Sequence, residues 1–319
     1  MPSDFPTAQI VDTGEIRLAV HELGDGPPLI LIHGFPELAY SWRHQLPVLA
    51  EAGYRAIAPD MRGYGGSDKP PHVTDYTIQK LIGDIEGLMD TLSIKRAVII
   101  GHDWGAMLTW NMALLAPQRM AGLITLNVPH LPRPPINPIT YMRWKLGKDF
   151  YIVNFQKSDE ADRRFAEDPR RFINVMMRRK QFSRGPSKTG PRKRRPLSLI
   201  QALDRDEPGG EALLSDEELD VYAAAFAAGG FTGPINWYRN WARNWKSTKG
   251  VDQTVRVPAL FVDAADDIII SQKQIEAMHP YVPDLETQKI ENCGHWTQQD
   301  KPDELNRIIL DWLTRRYPL

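Results

Sequence analysis

Short apolar runs and amphipathic stretches alternate through the first half of the chain. Leu29-Ile30-Leu31-Ile32, Ala56-Ile57-Ala58 and Ala97-Val98-Ile99-Ile100 are apolar throughout, and a turn signal ends each one. Runs of this length without polar alternation predict strands buried on both faces. Between the second and third runs, Ile78, Leu81, Ile82, Ile85, Leu88, Met89 and Leu92 fall on one helical face. Strands alternating with such helices predict an α/β fold, a mostly parallel central sheet flanked by helices. A further helix is expected from Asp103 to about Ala116, stopping before Pro117, and Leu123 to Leu126 reads as the next strand.

The pattern changes near His130. His130 to Pro138 holds four prolines, and aromatic-rich helical segments follow with no clear strand until Val257. A long helical stretch inside an alternating fold predicts an inserted helical cap rather than more sheet. The expected division is a core of residues 1–130 and 250–319, with a cap at 131–249. Ser215-Asp216-Glu217-Glu218 is a capping box that opens one cap helix. Strand character returns at Ala259-Leu260-Phe261-Val262 and at Glu286 to Ile290, and an amphipathic helix from about Pro302 to Leu313 closes the core.

Composition narrows the class of protein. At 319 residues the chain accommodates one large α/β domain with an insertion. A formal net charge of -1 gives no long-range attraction to nucleic acid or to an acidic membrane. No apolar run approaches the roughly 20 residues needed to cross a bilayer, and Met1 to Ile10 lacks the pattern of a signal peptide. The single cysteine, Cys293, forms no intrachain disulfide, which suits a reducing, cytoplasmic setting. Arg178 to Arg195 is basic and free of acidic residues; a solvated cap loop is favoured over an anion or membrane patch.

Gly101-His102-Asp103-Trp104-Gly105 follows a buried strand and opens a helix. Small residues at both ends suit a sharp turn that lifts the middle side chain clear of the sheet. The middle residue is Asp103, which such a turn presents either as a helix N-cap or as a nucleophile. A carboxylate nucleophile forms an ester, and hydrolysing that ester takes an activated water. The water needs a histidine base and an acid that orients it. Cys293-Gly294-His295-Trp296 follows a late strand and supplies the imidazole of His295. Asp263, Asp266 and Asp267 are candidate acids; the first sits too near its strand, and Asp267 is favoured over Asp266. Nucleophile, acid and histidine then occur in the chain order of α/β-hydrolases. His33-Gly34-Phe35-Pro36 directly follows the first buried strand, where Phe35 N–H and Trp104 N–H are candidates for an oxyanion hole. Phe35-Pro36 is a candidate cis peptide.

Residues 33–47, 101–106 and 292–302 resemble the soluble, cap-bearing epoxide hydrolases of the α/β-hydrolase superfamily. The resemblance is carried most specifically by His33-Gly34-Phe35-Pro36-Glu37, Gly101-His102-Asp103-Trp104-Gly105-Ala106 and Gly294-His295-Trp296. It implies that Asp103 attacks the less hindered epoxide carbon, and that His295, oriented by Asp267, activates the water. It also implies two cap tyrosines that hydrogen-bond the epoxide oxygen. Asn236-Trp237-Tyr238-Arg239-Asn240 points to Tyr238, and Phe150-Tyr151-Ile152-Val153-Asn154-Phe155-Gln156 points to Tyr151.

The expected pocket is apolar and aromatic, with His33, Phe35, Pro36, Trp104, Tyr151, Phe155 and Trp237 as candidate lining. The expected partners are a small hydrophobic epoxide and water, without nucleic acid or membrane; a homodimer is left open. No metal or cofactor is implied. The rival chemistry is a haloalkane dehalogenase with the same aspartate, although Phe35 stands where those enzymes commonly carry Asn. The rival class is a catalytically silent binding protein.

Overall fold

The computed structural model describes residues 5–156, 159–179, 197–267 and 271–319. Among them the strands run β1 (Gln9–Asp12), β2 (Arg17–Leu23), β3 (Pro28–Ile32), β4 (Arg55–Pro59), β5 (Ala97–His102), β6 (Met120–Leu126), β7 (Arg178–Arg179), β8 (Glu211–Ala212), β9 (Ala259–Ala264) and β10 (Leu285–Ile290). Eight of them form one sheet in the order β1-β2-β4-β3-β5-β6-β9-β10. The β1–β2 and β2–β4 pairs are antiparallel, and every later pair in that order is parallel.

The apolar runs sit where a two-sided sheet needs them. Leu29 to Ile32 and Ala97 to Ile100 are wholly buried, because helices cover both faces. The helix Trp104–Leu115 packs on β5 and β6, and Ile78–Thr91 packs beside it. The closing helix spans Pro302–Arg316, slightly longer than its periodicity predicts. At the antiparallel edge, β2 holds the short apolar run Leu18-Ala19-Val20, but Arg17 precedes it and His21 and Glu22 end it, and β1 carries no such run, so neither strand was picked out from the sequence.

Between β6 and β9 the described chain is helical, as expected of a cap, with one departure. Arg178–Arg179 pairs with Glu211–Ala212 in a two-residue antiparallel ladder, too short to leave a period in the sequence. Ser215 caps the helix Asp216–Gly229 through the reciprocal bonds its motif predicts. The cap interior is aromatic: Phe165 stacks on Phe172 at 4.0 Å and Phe226 on Phe231 at 4.6 Å. Hydrogen bonds tie it to the core. Ser41 meets Tyr222 at 2.8 Å, Arg43 meets Glu218 at 2.7 Å, and the Trp237 indole donates to the Arg62 carbonyl at 3.1 Å. Residues 180–195 of the basic run lie outside the described residues.

Candidate active site

The site lies beyond the C-terminal ends of the parallel strands, where an open α/β sheet leaves a crevice. Strand β5 ends at His102 and the next helix begins at Trp104, so a single residue makes the turn. Asp103 carries it at φ 51 and ψ -115, a conformation that costs a side-chain-bearing residue on the order of 1–3 kcal/mol. Its neighbours leave no room for relaxation. A Cβ on Gly105 would overlap the Ile32 carbonyl, and one on Gly34 would overlap the Asp103 side chain.

Asp103 occupies the N-cap position, yet its side chain makes no capping hydrogen bond. Its Oδ1 accepts the Phe35 N–H at 2.9 Å instead. The cap alternative therefore fails on geometry, and the carboxylate is turned toward the loop after β3. That loop contains a cis Phe35-Pro36 peptide, a bond the sequence offered only as a candidate.

His295 stands between two carboxylates. Its Nδ1 is 2.8 Å from Asp267 Oδ2, and its Nε2 is 3.5 Å from Asp103 Oδ2. Burial opposes a charged imidazole, but Asp267 and Asp103 outweigh it and push the pKa up to about 10. The resting imidazole is thus protonated at neutral pH. Of the two loop acids, Asp267, the one favoured from the sequence, meets the ring. The same Asp267 Oδ2 accepts from Asn127 Nδ2 at 2.9 Å. Asn127 follows β6 at φ 66, where an Asn tolerates the left-handed region better than most residues, and its Oδ1 accepts from Thr297 at 2.7 Å.

The cap brings both tyrosines over Asp103. The rings of Tyr151 and Tyr238 lie 5.9 Å apart, and Tyr238 is 5.0 Å from Trp104 and 5.4 Å from Phe35. Burial first, and the charge of Asp103 second, raises both phenols above their ordinary range, so both hold their protons. Phe155 packs 5.0 Å from Tyr238, Trp237 packs 5.8 Å from Trp104, and Trp241 packs 5.1 Å from Trp104. Trp241 was not among the residues the sequence suggested. His33 has both ring nitrogens engaged with backbone, Nδ1 with the Gly34 carbonyl at 2.9 Å and Nε2 with the Met61 N–H at 3.0 Å. Burial lowers its pKa, and its contacts are those of a loop anchor.

A second buried network was missed altogether. Glu37 Oε2 accepts the Gly34 N–H at 2.9 Å and meets His102 Nδ1 at 2.7 Å. His102 Nε2 reaches the His295 carbonyl at 2.7 Å, and Gln298 donates to Glu37 Oε1 at 2.6 Å. Burial would raise the Glu37 pKa, but His102 and the Gly34 N–H more than offset it and hold the carboxyl below its usual range. One carboxylate thereby fixes both the oxyanion loop and the histidine loop.

A carboxylate on a strained strand–turn–helix, backed by a His–Asp pair and a backbone N–H, defines an α/β-hydrolase. The model of the alpha/beta hydrolase fold family matches residues 27–302, and the chain belongs to that family. It is 42% identical to epoxide hydrolase A of Mycobacterium tuberculosis, across 97% of this chain and 98% of that protein. It is 38% identical to bifunctional epoxide hydrolase 2 of Mus musculus, spanning 98% of this chain but 56% of that longer protein. The crystal structure of epoxide hydrolase A from Mycobacterium thermoresistibile superposes with a TM-score of 0.88 at 39% identity, covering 97% of this chain and 98% of that one.

Proposed function

We propose that this protein is an epoxide hydrolase that converts hydrophobic epoxides to vicinal diols through an ester on Asp103. The observation that carries the reading is the Asp103 carboxylate, flanked by the Phe35 N–H and His295, beneath two protonated tyrosines.

Asp103 Oδ2 attacks the less hindered epoxide carbon, and the carbon–oxygen bond of the ring breaks. The alkoxide takes a proton from Tyr238 or Tyr151, which an alkoxide leaving group requires. Oδ1 becomes the ester carbonyl oxygen, already beside the Phe35 N–H. Esterification removes one of the two negative charges that hold the proton on His295. The imidazole pKa therefore falls only after ring opening; its proton passes to the tyrosinate which that step leaves, and the neutral base becomes available for the step that needs it. Water, deprotonated by His295, then attacks the ester carbonyl carbon. The oxyanion forms on Oδ1 against the N–H groups of Phe35 and Trp104; as it collapses, the imidazolium gives its proton to the departing alkoxide, which releases the diol, and Asp103 returns its acid proton to His295 and is restored as the carboxylate.

The aromatic surroundings of Phe35, Trp104, Phe155, Trp237 and Trp241 favour an aryl or alkyl epoxide. Residues 131–249 act as the cap and 1–130 with 250–319 as the core, a division supported by the helical character between β6 and β9. No described helix is long and apolar enough to cross a membrane. The buried, unpaired Cys293 thiol supports a cytoplasmic location.

Incubation with styrene oxide and, separately, with a bromoalkane tests the reaction class. Diol without bromide is expected. Bromide without diol would replace this reading with a dehalogenase, and no turnover of any epoxide or halide would point to a binding protein.

A further inference from the structure

The His295 loop is held from the cap as well as from the core. Asp300 ends the short helix Thr297–Asp300, and its side chain is 1% exposed. Its Oδ2 accepts the N–H of Gly294, the residue before His295, at 3.1 Å. Its Oδ1 takes the Arg179 guanidinium, 2.7 Å from Nε and 2.6 Å from Nη2. Arg179 lies on β7 in the cap. Its register partner Glu211 on β8 holds the same guanidinium at 2.9 Å from Nη1. The two-residue ladder thus presents one arginine to the core. A further bond follows the same route: the Trp296 indole donates to the Met176 carbonyl at 2.7 Å. Cap residues 176–179 therefore grip the chain immediately before and immediately after the histidine.

A buried carboxylate stripped of its cation costs far more than the pair contributes when intact. Without Arg179, Asp300 would turn toward solvent, which weakens its hold on Gly294. The imidazole that follows must keep Nδ1 on Asp267 and Nε2 over Asp103. Small displacements of a general base cost rate steeply. Ring opening depends instead on Asp103, the Phe35 N–H and the tyrosines, none of which is held by Arg179 or Asp300.

We infer that Arg179 is a positioning residue for His295, acting from the cap through Asp300 and Gly294, and that it serves ester hydrolysis rather than ring opening. The inference rests on the two-step mechanism above.

The test is single-turnover kinetics of the full chain on styrene oxide, following covalent adduct by intact mass and diol by chromatography. Wild type is compared with Arg179→Lys and Arg179→Met. Ring opening is expected to stay within about 2-fold in both variants, while hydrolysis slows on the order of 10-fold in Arg179→Met. Arg179→Lys should fall between, since it keeps the charge but loses the fork. Unchanged hydrolysis in both variants overturns the inference, as does an equal loss in both steps. Should Arg179→Met not fold, Arg179→Lys decides alone: slowed hydrolysis with intact ring opening supports it, and any other result overturns it. A wild-type protein that makes diol with no adduct at any time sinks the two-step mechanism instead, a separate outcome.

Discussion

The two halves of the site are built by different means. The core half hangs on backbone: Asp103 is fixed by a one-residue turn between β5 and its helix, and Asp267 and His295 sit on loops after β9 and β10. The cap half hangs on side chains: Tyr151 and Tyr238 lie on short helices and are held by ring packing against Phe155, Phe35 and Trp104. Backbone turns fix an atom through rigid geometry; aromatic packing fixes a surface and leaves the polar tip adjustable. In the proposed mechanism the nucleophile and base belong where tolerance is least. The acids that would follow a substrate oxygen belong where the wall can adapt to different epoxides.

Variants on the two sides should therefore fail differently. Asp103→Ala deletes the bond-forming atom, and diol formation is expected to drop by about 10⁴-fold or more. Circular dichroism should stay native, because the substitution removes no buried apolar contact. Residual turnover near wild type would take Asp103 out of the mechanism. His295→Gln should be the next largest effect, on the order of 10³-fold in steady turnover. Ring opening should survive it, so intact-mass spectra at high epoxide concentration should show the adduct; its absence there would break the division of labour. On the cap side, Tyr238→Phe should slow ring opening by roughly 10- to 100-fold, less than the full loss of a general acid because the other phenol remains. Tyr151→Phe should act alike, and the double variant should exceed either single one, since each phenol can still serve alone. Equal rates in single and double variants would mean that only one tyrosine reaches the oxygen.

That contrast also governs how much was legible in the sequence. The core strands announce themselves as apolar runs, and the Gly101–Gly105 turn and the Gly294-His295 loop follow strands at recognisable places. Asp103, His295 and the region of the acid could thus be named from local pattern and chemistry. The preference for Asp267 over Asp266 had no such local signal behind it, because neighbouring loop residues point in directions set by backbone that no periodicity encodes. The tyrosines carried no local signal beyond aromaticity, and their registers came through family resemblance. Least legible were the long-range supports. Asn127 reaches Asp267 across 140 positions, Glu37 reaches Gln298 across 261, and Arg179 reaches Asp300 across 121. A lone polar residue carries no period, and its partner is known only after folding.

The smallest effect expected is also the one that ties the two carboxylates together through His295. Its folded pKa, about 10, lies above an unfolded value of about 6.5. A raised pKa contributes stability that is complete below about 6.5 and is lost as pH rises toward about 10. Asp103→Asn removes one of the two charges that raise it and brings the folded pKa back toward its ordinary value. Stability of that variant should then fall less steeply over this window than that of wild type, each unit of lost shift amounting to about 1.4 kcal/mol. Lysines, tyrosines and Cys293 also titrate as pH rises, but they are common to both proteins and largely cancel in the difference. Urea melts of the two proteins from pH 6 to pH 10 measure that difference directly. Parallel curves would mean that Asp103 does not act on the imidazole, and forming the ester would then not lower its pKa. A smaller slope in Asp103→Asn would support the sequence in which the core half arms its base only after the cap half has helped open the ring.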